Sequence, residues 1–538
     1  MILDFNPLRG DFFVRVPRGS KEKAVLMQEH GFDLSTLAST AQGAVLFTKE
    51  QYAAVAFADQ ATPRAAQQLH GLIERIDLSW KLTSNAHIDC PSDQELYPFQ
   101  KADIEYALTR KNALDGDQPG LGKTPTAICL ANEMHAKRVL VICPASIRKQ
   151  WAEKIRVWST MKFPYHVHVI LGGRSGVNPY AEWTVVSYEM ARSPAIGRAL
   201  AAGLYDLLIL DEAHFLKTTD AERTRAVFGG GDNRSFAPLA ERAGFTYGLT
   251  GTPLPNRPRE AYTLARALCW DSIDWLSEDK FRERFNPSAS GRTDEGKIYI
   301  DERIGRSGEL QARMRANFMS RHLKRDAMPQ LDFPVYDIIR LEKTQAVKAA
   351  LEAESLLDID PTKFDSNIAV LGQVSSVCEQ MGFALAPQVA DWVDELIDGG
   401  EEKLVVFGWH LRTMNYLEER WRKHGVVRYH AGRGAHNEEA KAVFTKNPDC
   451  KIIMGNILTL GTGTDGLQHV SNHALIAEPD WVPGNNVQCF DRLDRGGQKR
   501  KVQGDIFVAP GSIMEKILGI ALKKLQDTHK ALDKKGGL

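Results

Sequence analysis

The sequence predicts an α/β protein, and three observations predict it. Short, continuous apolar runs recur along the chain, and each is followed by a polar loop rich in Gly, Ser or Thr. They form two sets, one in each half of the chain, with a long stretch of helical pattern between them. Ahead of the first set stands a different grammar, alternating apolar residues followed by helical spacing, which predicts a small α+β module over residues 1–88. Unbroken runs of Val, Ile and Leu are what parallel strands require when both faces of their sheet are covered.

Composition bounds the rest. At 538 residues the chain exceeds one ordinary core, so two large domains and a smaller unit are expected. A hydrophobic fraction of 43% and a charged fraction of 25% are those of a globular protein. Lys plus Arg equals Asp plus Glu at 68 each, which removes bulk charge as an argument for nucleic-acid binding and leaves it to local patches. The seven cysteines, at 90, 129, 143, 269, 378, 450 and 489, never form a C-x-x-C pair, so neither a zinc ribbon nor a disulfide framework is expected. No run reaches the length of a membrane span and the start lacks a secretion signal, so the expectation is a protein that acts inside a cell without a membrane.

In the N-terminal module, "DFFVRVP" alternates as a strand does, "SKEKAVLMQEHG" reads as a helix ended by Gly31, and "GAVLFTKEQYAAVAFAD" as strand then helix. The first set of runs then opens with "DGDQPGLGKTPTAI", residues 115–128. Gly120 and Gly122 let backbone N–H groups curl around phosphates, Lys123 would reach the outer phosphates, and the Thr124 hydroxyl would coordinate magnesium. Where the common phosphate-loop pattern starts with glycine, Asp117 stands instead, with Gly116 just before it; a plain Gly-rich turn is the alternative.

Downstream, in "YDLLILDEAHFLKT", the run Leu207–Leu210 predicts a buried parallel strand with Asp211 and Glu212 at its carboxyl edge. Asp211 suits the task of holding Mg2+ through water and Glu212 that of polarising the attacking water. A strand ending in a solvated acidic turn is the alternative, and the neighbouring phosphate loop weighs against it. "RVLVICPASIRKQW", "WTVVSYEMAR" and "TYGLTGTPLPNRPRE" repeat the pattern, with Ser, Thr and Arg in loops of the kind that position a nucleic-acid backbone.

The second set comprises "EKLVVFGWH", "CKIIMGNILTLGTGTDGLQ" and "HALIAEPDW". It is followed by "QCFDRLDRGGQKR", which places Arg492 and Arg495 three apart, on one face of a helix. Arginines so spaced can serve as fingers to a γ-phosphate, or they can line a solvated face paired with Asp491 and Asp494. At the far end, "GSIMEKILGIALKKLQDTHKALDKK" predicts a basic amphipathic helix over residues 513–538.

Taken in order, "LYPFQ", "DQPGLGKT", "VICPAS", "DEAH", "LTGTPLPN", "VVFGWH", "GTGTDGLQ" and "QCFDRLDRGGQ" resemble the motifs of the Swi/Snf-type (Snf-two) ATPases of helicase superfamily two, from about residue 95 to about 512. The resemblance implies two RecA-like lobes around one ATP and Mg2+: residues 89–325 and 326–512, each with a helical insertion. It implies that Gln100 reads adenine, that Gly120, Gly122, Lys123 and Thr124 hold phosphates and metal, and that Asp211 and Glu212 run hydrolysis. Gln488 opens the motif whose Arg492 and Arg495 are the fingers. His214 and Thr250 would couple the nucleotide to DNA, and Ser146, Ser187, Thr462, Gly463 and Thr464 would contact DNA backbone. Two places depart from the family pattern, "DQP" before Gly120 and the acidic Asp465 in a DNA-facing motif.

The helical stretch 258–402 is similar to the insertions that set this group apart from RNA-unwinding relatives, and "SRHLKRDAMPQL" resembles its basic lobe linker. Residues 1–88 resemble the HARP-type substrate module of annealing helicases. The implied function is an ATP-dependent double-stranded DNA translocase that regresses forks, migrates branches, anneals strands or displaces bound proteins. A strand-separating helicase, an RNA helicase and a scaffold built on an inactive ATPase fold are the alternatives, in that order. The implied partner is double-stranded or branched DNA, the implied state a monomer, and the implied location the cytoplasm of a bacterial or phage-infected cell, or a nucleus.

Overall fold

The computed structural model describes residues 2–17, 31–32, 43–161, 167–172, 176–230, 235–254, 257–292, 298–302, 305–329, 335–356, 368–430, 434–480, 482–519 and 532–533. The chain divides into two compact units, the first Met1–Gln118, Gly122–Leu323 and Gln526–Leu538, the second Pro119–Leu121 and Lys324–Leu525.

The first unit begins with β1 (Leu3–Asn6), β2 (Asp11–Pro17) and β3 (Gly43–Thr48), an antiparallel sheet in that order. Strand β3 is followed by the helices Gln51–Val55 and Pro63–Leu78, the second started by Thr62, whose hydroxyl accepts from the Ala65 N–H. The expected α+β module is therefore present; the helix read in "SKEKAVLMQEHG" falls outside the described residues. The module does not stand apart. Its core of Leu3, Phe12, Val14, Leu46, Phe57 and Leu69 continues into Ala312 and Ala316 of the helix Ser307–Asn317, far along the chain. Polar ties reinforce this: the Arg313 guanidinium donates to Glu50 at 3.2 Å and lies 4.5 Å over the Tyr52 ring.

The main sheet of this unit uses β4 (Ala113–Asp115), β5 (Val139–Cys143), β6 (Val167–Val169), β7 (Trp183–Ser187), β8 (Tyr205–Asp211) and β9 (Ala243–Leu249). After the hairpin β10 (Ser288–Arg292) and β11 (Ile298–Glu302), β12 (Met319–Ser320) joins its edge. The order is β12-β4-β9-β8-β5-β7-β6 with every pairing parallel. Alternation along the apolar runs explains how both faces are covered. Val139, Val141, Leu207 and Ile209 enter one core, while Leu140, Ile142, Leu208 and Leu210 enter another. Each strand thus spends its residues on two helical layers, as continuous hydrophobicity requires.

The second unit repeats the plan with β13 (Val335–Arg340), β14 (Leu404–Gly408), β15 (Val426–Tyr429), β16 (Ile452–Asn456), β17 (His473–Ile476) and β18 (Gln503–Val508). Its order is β13-β18-β17-β14-β16-β15, again wholly parallel. Leu404, Val406 and Met454 face one core; Val405, Phe407 and Ile453 face the other. The expected helical stretch between the two sets appears as Ala261–Cys269, Glu278–Phe285, Ser307–Asn317, Gln345–Ser355 and the long Ile368–Asp398. Of the expected C-terminal helix, residues 513–519 are helical and 520–531 lie outside the described residues. All seven cysteines are free, and no helix among the described residues is long and apolar enough to cross a membrane.

Candidate nucleotide site

Parallel pairing lines up the carboxyl ends of the strands, and the chemistry-bearing loops follow from there. Asp115 of β4 and Asp211 of β8 both stand opposite Leu249 of β9, the strand between them. The loop after β4, the acidic pair after β8 and Thr250 after β9 therefore share one edge, where ligand sites form in open α/β sheets. The backbone N–H of Thr250 donates to the Asp115 carbonyl at 2.9 Å, which holds that edge together.

Helix Lys123–Glu133 starts from Gly122, whose φ of +81° is left-handed and whose N-cap position carries no side-chain hydrogen bond. Gly120 has φ of +90°. A Cβ on Gly122 would come within 2.4 Å of the Gln100 amide nitrogen, so both conformation and space demand glycine there. Gln100 is buried; its Nε2 donates to the Gly122 carbonyl at 3.2 Å and its Oε1 accepts from the Tyr97 N–H at 2.9 Å. The residue expected to read adenine is thus also fastened to the phosphate loop. Lys123 Nζ donates to the carbonyls of Asp117 at 2.7 Å and Gln118 at 3.3 Å. Thr124, at the second helical position, is partly exposed. An uncapped helix start with a lysine and a hydroxyl on its first turn is a donor set that suits a polyphosphate and its divalent cation.

The acid pair is held differently at each member. Asp211 is fixed by the Trp151 indole N–H, which donates to its Oδ2 at 2.6 Å, while its main-chain carbonyl accepts from the Tyr188 hydroxyl at 2.8 Å. Burial pushes the Asp211 carboxyl up, and the neighbouring Glu212 adds to it; the Trp151 hydrogen bond and the Lys123 ammonium oppose, leaving it at about 6. A divalent cation at this carboxylate would restore the ionised form. Glu212 sits at φ of +52°, a region non-glycine residues seldom occupy, and such strain persists where surrounding structure over-determines it. His214 completes the constellation: its Nδ1 lies 3.2 Å from Glu212 Oε2 and 3.0 Å from Thr250 Oγ1.

The residues expected at nucleic acid fall into distinct settings. Ser146 is exposed in the loop after β5. Ser187 is buried, and its hydroxyl accepts from the Met190 N–H. Thr464 is buried, following the helix Ile457–Gly463 that contains Thr462 and Gly463. In the second unit Gln488 is buried on the helix Pro483–Phe490. The two arginines beyond it differ. Arg492 is buried, with Nε donating to the Gly461 carbonyl at 2.6 Å and Nη1 to that of Thr464 at 3.4 Å. Arg495 places Nε on the Asp491 carbonyl at 2.9 Å and Nη1 3.3 Å from Asp465. The carboxylates of Asp491 and Asp494 both accept from the Lys324 ammonium, at 2.6 and 2.7 Å.

Several residues of this edge were not legible in the sequence. Behind the phosphate loop the His322 imidazole stands 3.4 Å from Asp103 and 3.0 Å from Asp117, all three buried. The His322 backbone N–H donates to Asp117 Oδ1 at 2.6 Å and its main-chain carbonyl accepts from the Gln118 N–H at 3.1 Å. Burial would lower the His322 pKa, but the two carboxylates raise it well above the ordinary value and keep the ring cationic. The aspartate that departs from the glycine of the common loop thus has a structural task. Beside it, Arg321 donates to the carbonyls of Gly116 and Gly251 and pairs with Asp533 at 2.6 Å. Trp151, 60 positions before its partner, could be found from sequence only as a buried aromatic on a helix face.

Two parallel sheets, with a glycine-lysine loop and a partly buried acidic pair at the edge of one of them, have the layout of a nucleotide-binding α/β protein. Residues 99–352 match the family described as the SNF2-related domain. Over those residues, which hold the glycine-lysine loop and the acidic pair, the chain is similar to SNF2-related domains. Among curated proteins it is similar to the "SWI/SNF-related matrix-associated actin-dependent regulator of chromatin subfamily A-like protein 1" of Xenopus laevis, 27% identical over 82% of this chain and 44% of that protein. It is likewise similar to the "DNA annealing helicase and endonuclease ZRANB3" of Homo sapiens, 27% identical over 82% of this chain and 40% of that protein. The chain thus spans less than half the length of these curated relatives. A solved structure, the "Sulfolobus solfataricus SWI2/SNF2 ATPase core in complex with dsDNA", aligns over 84% of this chain and 96% of that one at 19% identity, with a TM-score of 0.38.

Proposed function

We propose that the protein is an ATP-driven translocase on double-stranded DNA that remodels forked or branched structures or displaces bound proteins. The observation that carries the reading is His214, which stands between Glu212 and Thr250 at 3.2 and 3.0 Å and so links the hydrolytic residue to a neighbouring strand end. An ATPase that only turned over nucleotide would have no need of such a link. Lys123 and the helix N-terminus bind the phosphates, Gln100 reads the base, and Glu212 accepts the proton of the attacking water. Thr124 and Asp211 would hold magnesium, which when bound neutralises phosphate charge. Arg492 and Arg495, with Gln488, serve the same reaction from the second lobe.

Both relatives named above carry DNA or chromatin in their printed names, which supports DNA as the partner. Ser146, Ser187 and Thr462 to Thr464 are the proposed backbone contacts, residues 1–88 the substrate module, and the working unit a monomer. The test is ATPase activity with single-stranded, duplex and forked DNA side by side, together with displacement of a triplex-forming strand. Duplex-stimulated turnover with triplex displacement and no unwinding of a blunt duplex is expected. Efficient unwinding of plain duplex would replace this reading with a strand-separating helicase.

A further inference from the structure

Neighbouring residues on a helical turn do not ordinarily face one another. On the tight turn Ala213–Leu216, with about three residues per turn, successive side chains diverge by roughly 120°. His214 and Phe215 nevertheless stack nearly parallel, with ring centroids 5.0 Å apart and planes 22° from each other. The Phe215 ring is held from elsewhere in the first unit. Tyr188 of the helix Tyr188–Ala191 packs against it at 5.8 Å, and the Arg223 guanidinium, from the helix Glu222–Phe228, lies 5.4 Å over its face. The same Tyr188 donates its hydroxyl to the Asp211 carbonyl at 2.8 Å. Phe215 is therefore a flat surface, braced by two other helices, set against the imidazole.

The imidazole needs such a surface. The torsion that turns a histidine ring has broad minima, so the backbone alone sets the ring plane loosely. Three oxygens gather at a single ring atom: His214 Nδ1 lies 3.0 Å from Thr250 Oγ1, 3.2 Å from Glu212 Oε2 and 3.5 Å from Thr252 Oγ1. These contacts locate one nitrogen, and a flat neighbour fixes the plane of the rest. One ring nitrogen offers a single proton or a single lone pair, so a small rotation decides which oxygen it serves.

We infer that Phe215 is a positioning residue that holds the His214 ring where Nδ1 reaches both Glu212 and Thr250, and that it thereby sets how far DNA raises ATP turnover. The inference rests on the proposed coupling role of His214. An aromatic pair of this kind favours its aligned arrangement by about 2- to 12-fold.

The experiment measures ATP turnover with and without duplex DNA in wild type, Phe215→Leu, Phe215→Tyr, His214→Asn and the double variant His214→Asn/Phe215→Leu. Phe215→Leu is expected to lower DNA-stimulated kcat by about 3- to 10-fold, with turnover in the absence of DNA within about twofold of wild type and KM for ATP within about threefold. Phe215→Tyr keeps the flat ring and should recover stimulation. The double variant should match His214→Asn within about twofold, because a residue that acts through the imidazole has nothing left to act on once it is gone. A Phe215→Leu enzyme at the wild-type stimulated rate overturns the inference. So does an equal fall with and without DNA, which a packing role alone predicts, or a Phe215→Tyr enzyme as slow as Phe215→Leu. Additive losses in the double variant overturn it as well. Should Phe215→Leu not fold, Phe215→Met, which keeps much of the volume without the flat face, takes its place in the single and the double variant with the same expectations. Wild-type protein without DNA-stimulated turnover counts against the proposed function and is read separately.

Discussion

The Trp151 indole N–H donates to Asp211 Oδ2 at 2.6 Å, placing a fixed donor on the carboxylate that would hold magnesium. A hydrogen bond to a charged group contributes about 1.5–3 kcal/mol. Trp151→Phe keeps most of the buried ring and removes only the donor. The magnesium concentration for half-maximal turnover should rise on the order of tenfold. Titrating magnesium in the ATPase assay checks this, and an unchanged requirement would show that the indole serves packing alone.

Glu212 and Asp211 are neighbours with separate proposed tasks, and a single substitution separates them. Glu212→Gln keeps the size of the side chain and takes away its basicity, so ATP should bind while turnover falls by at least about 100-fold, the scale of general-base loss. Equilibrium nucleotide binding and turnover on the same preparation decide it.

Arg492 and Arg495 should behave differently when removed. Arg492 is buried on the carbonyls of Gly461 and Thr464, so Arg492→Ala leaves two acceptors without their donor and should destabilise the second unit by roughly 1–3 kcal/mol. Arg495→Ala should leave thermal melting nearly unchanged while lowering DNA-stimulated turnover by orders of magnitude. Equal melting losses for the two would refute the distinction.

A buried histidine gives the second unit a pH-dependent stability. His473 Nε2 lies 3.1 Å from Asp505 and Nδ1 3.5 Å from Glu401, itself near Arg500. Burial alone would lower the His473 pKa, but the two carboxylates outweigh it and push the value up to about 9 from 6.5. A folded-state pKa raised above the unfolded one stabilises fully below pH 6.5 and is lost as pH rises through 9. Melting temperature should therefore fall across that window, and His473→Asn should flatten the fall while melting lower at acidic pH.

Residues 1–88 read in sequence as a separable module, yet they cover Ala312 and Ala316 of the helix Ser307–Asn317. A chain starting at residue 89 should therefore melt lower and bind more of a hydrophobic dye than the full chain, by exposure of that face. Dye fluorescence during a thermal ramp tests this, and a truncated protein that melts like the full chain would show that the contact is dispensable.

Sequence pattern carried much of this molecule because its strands are buried on both faces. Leu207 to Leu210 is apolar at every position since alternate residues enter different cores, and such a run can be seen without knowing its neighbours. The glycine loop before helix Lys123–Glu133 was legible for a similar reason, as Gly120 and Gly122 answer to local backbone geometry. Residues whose partners are distant in sequence were not legible. Nothing in "SRHLK" announces that His322 will sit between Asp103 and Asp117, or that Lys324 will meet Asp491 and Asp494. The two arginines looked equivalent because spacing records a shared helix face, whereas burial is set by what packs against each.

Arg315 donates to the Leu532 carbonyl at 3.0 Å, and Arg321 pairs with the Asp533 carboxylate, so the first unit is finished by residues from beyond the second. In the order of synthesis the second unit is thus an insert within the first. A ribosome would release residues 324–525, with their own sheet and two cores, before it releases the pair that satisfies the buried guanidinium groups of Arg315 and Arg321. The unit that begins folding earliest is therefore the last to be completed. Until then Arg321, which holds the Gly116 and Gly251 carbonyls at the nucleotide edge, lacks its carboxylate partner.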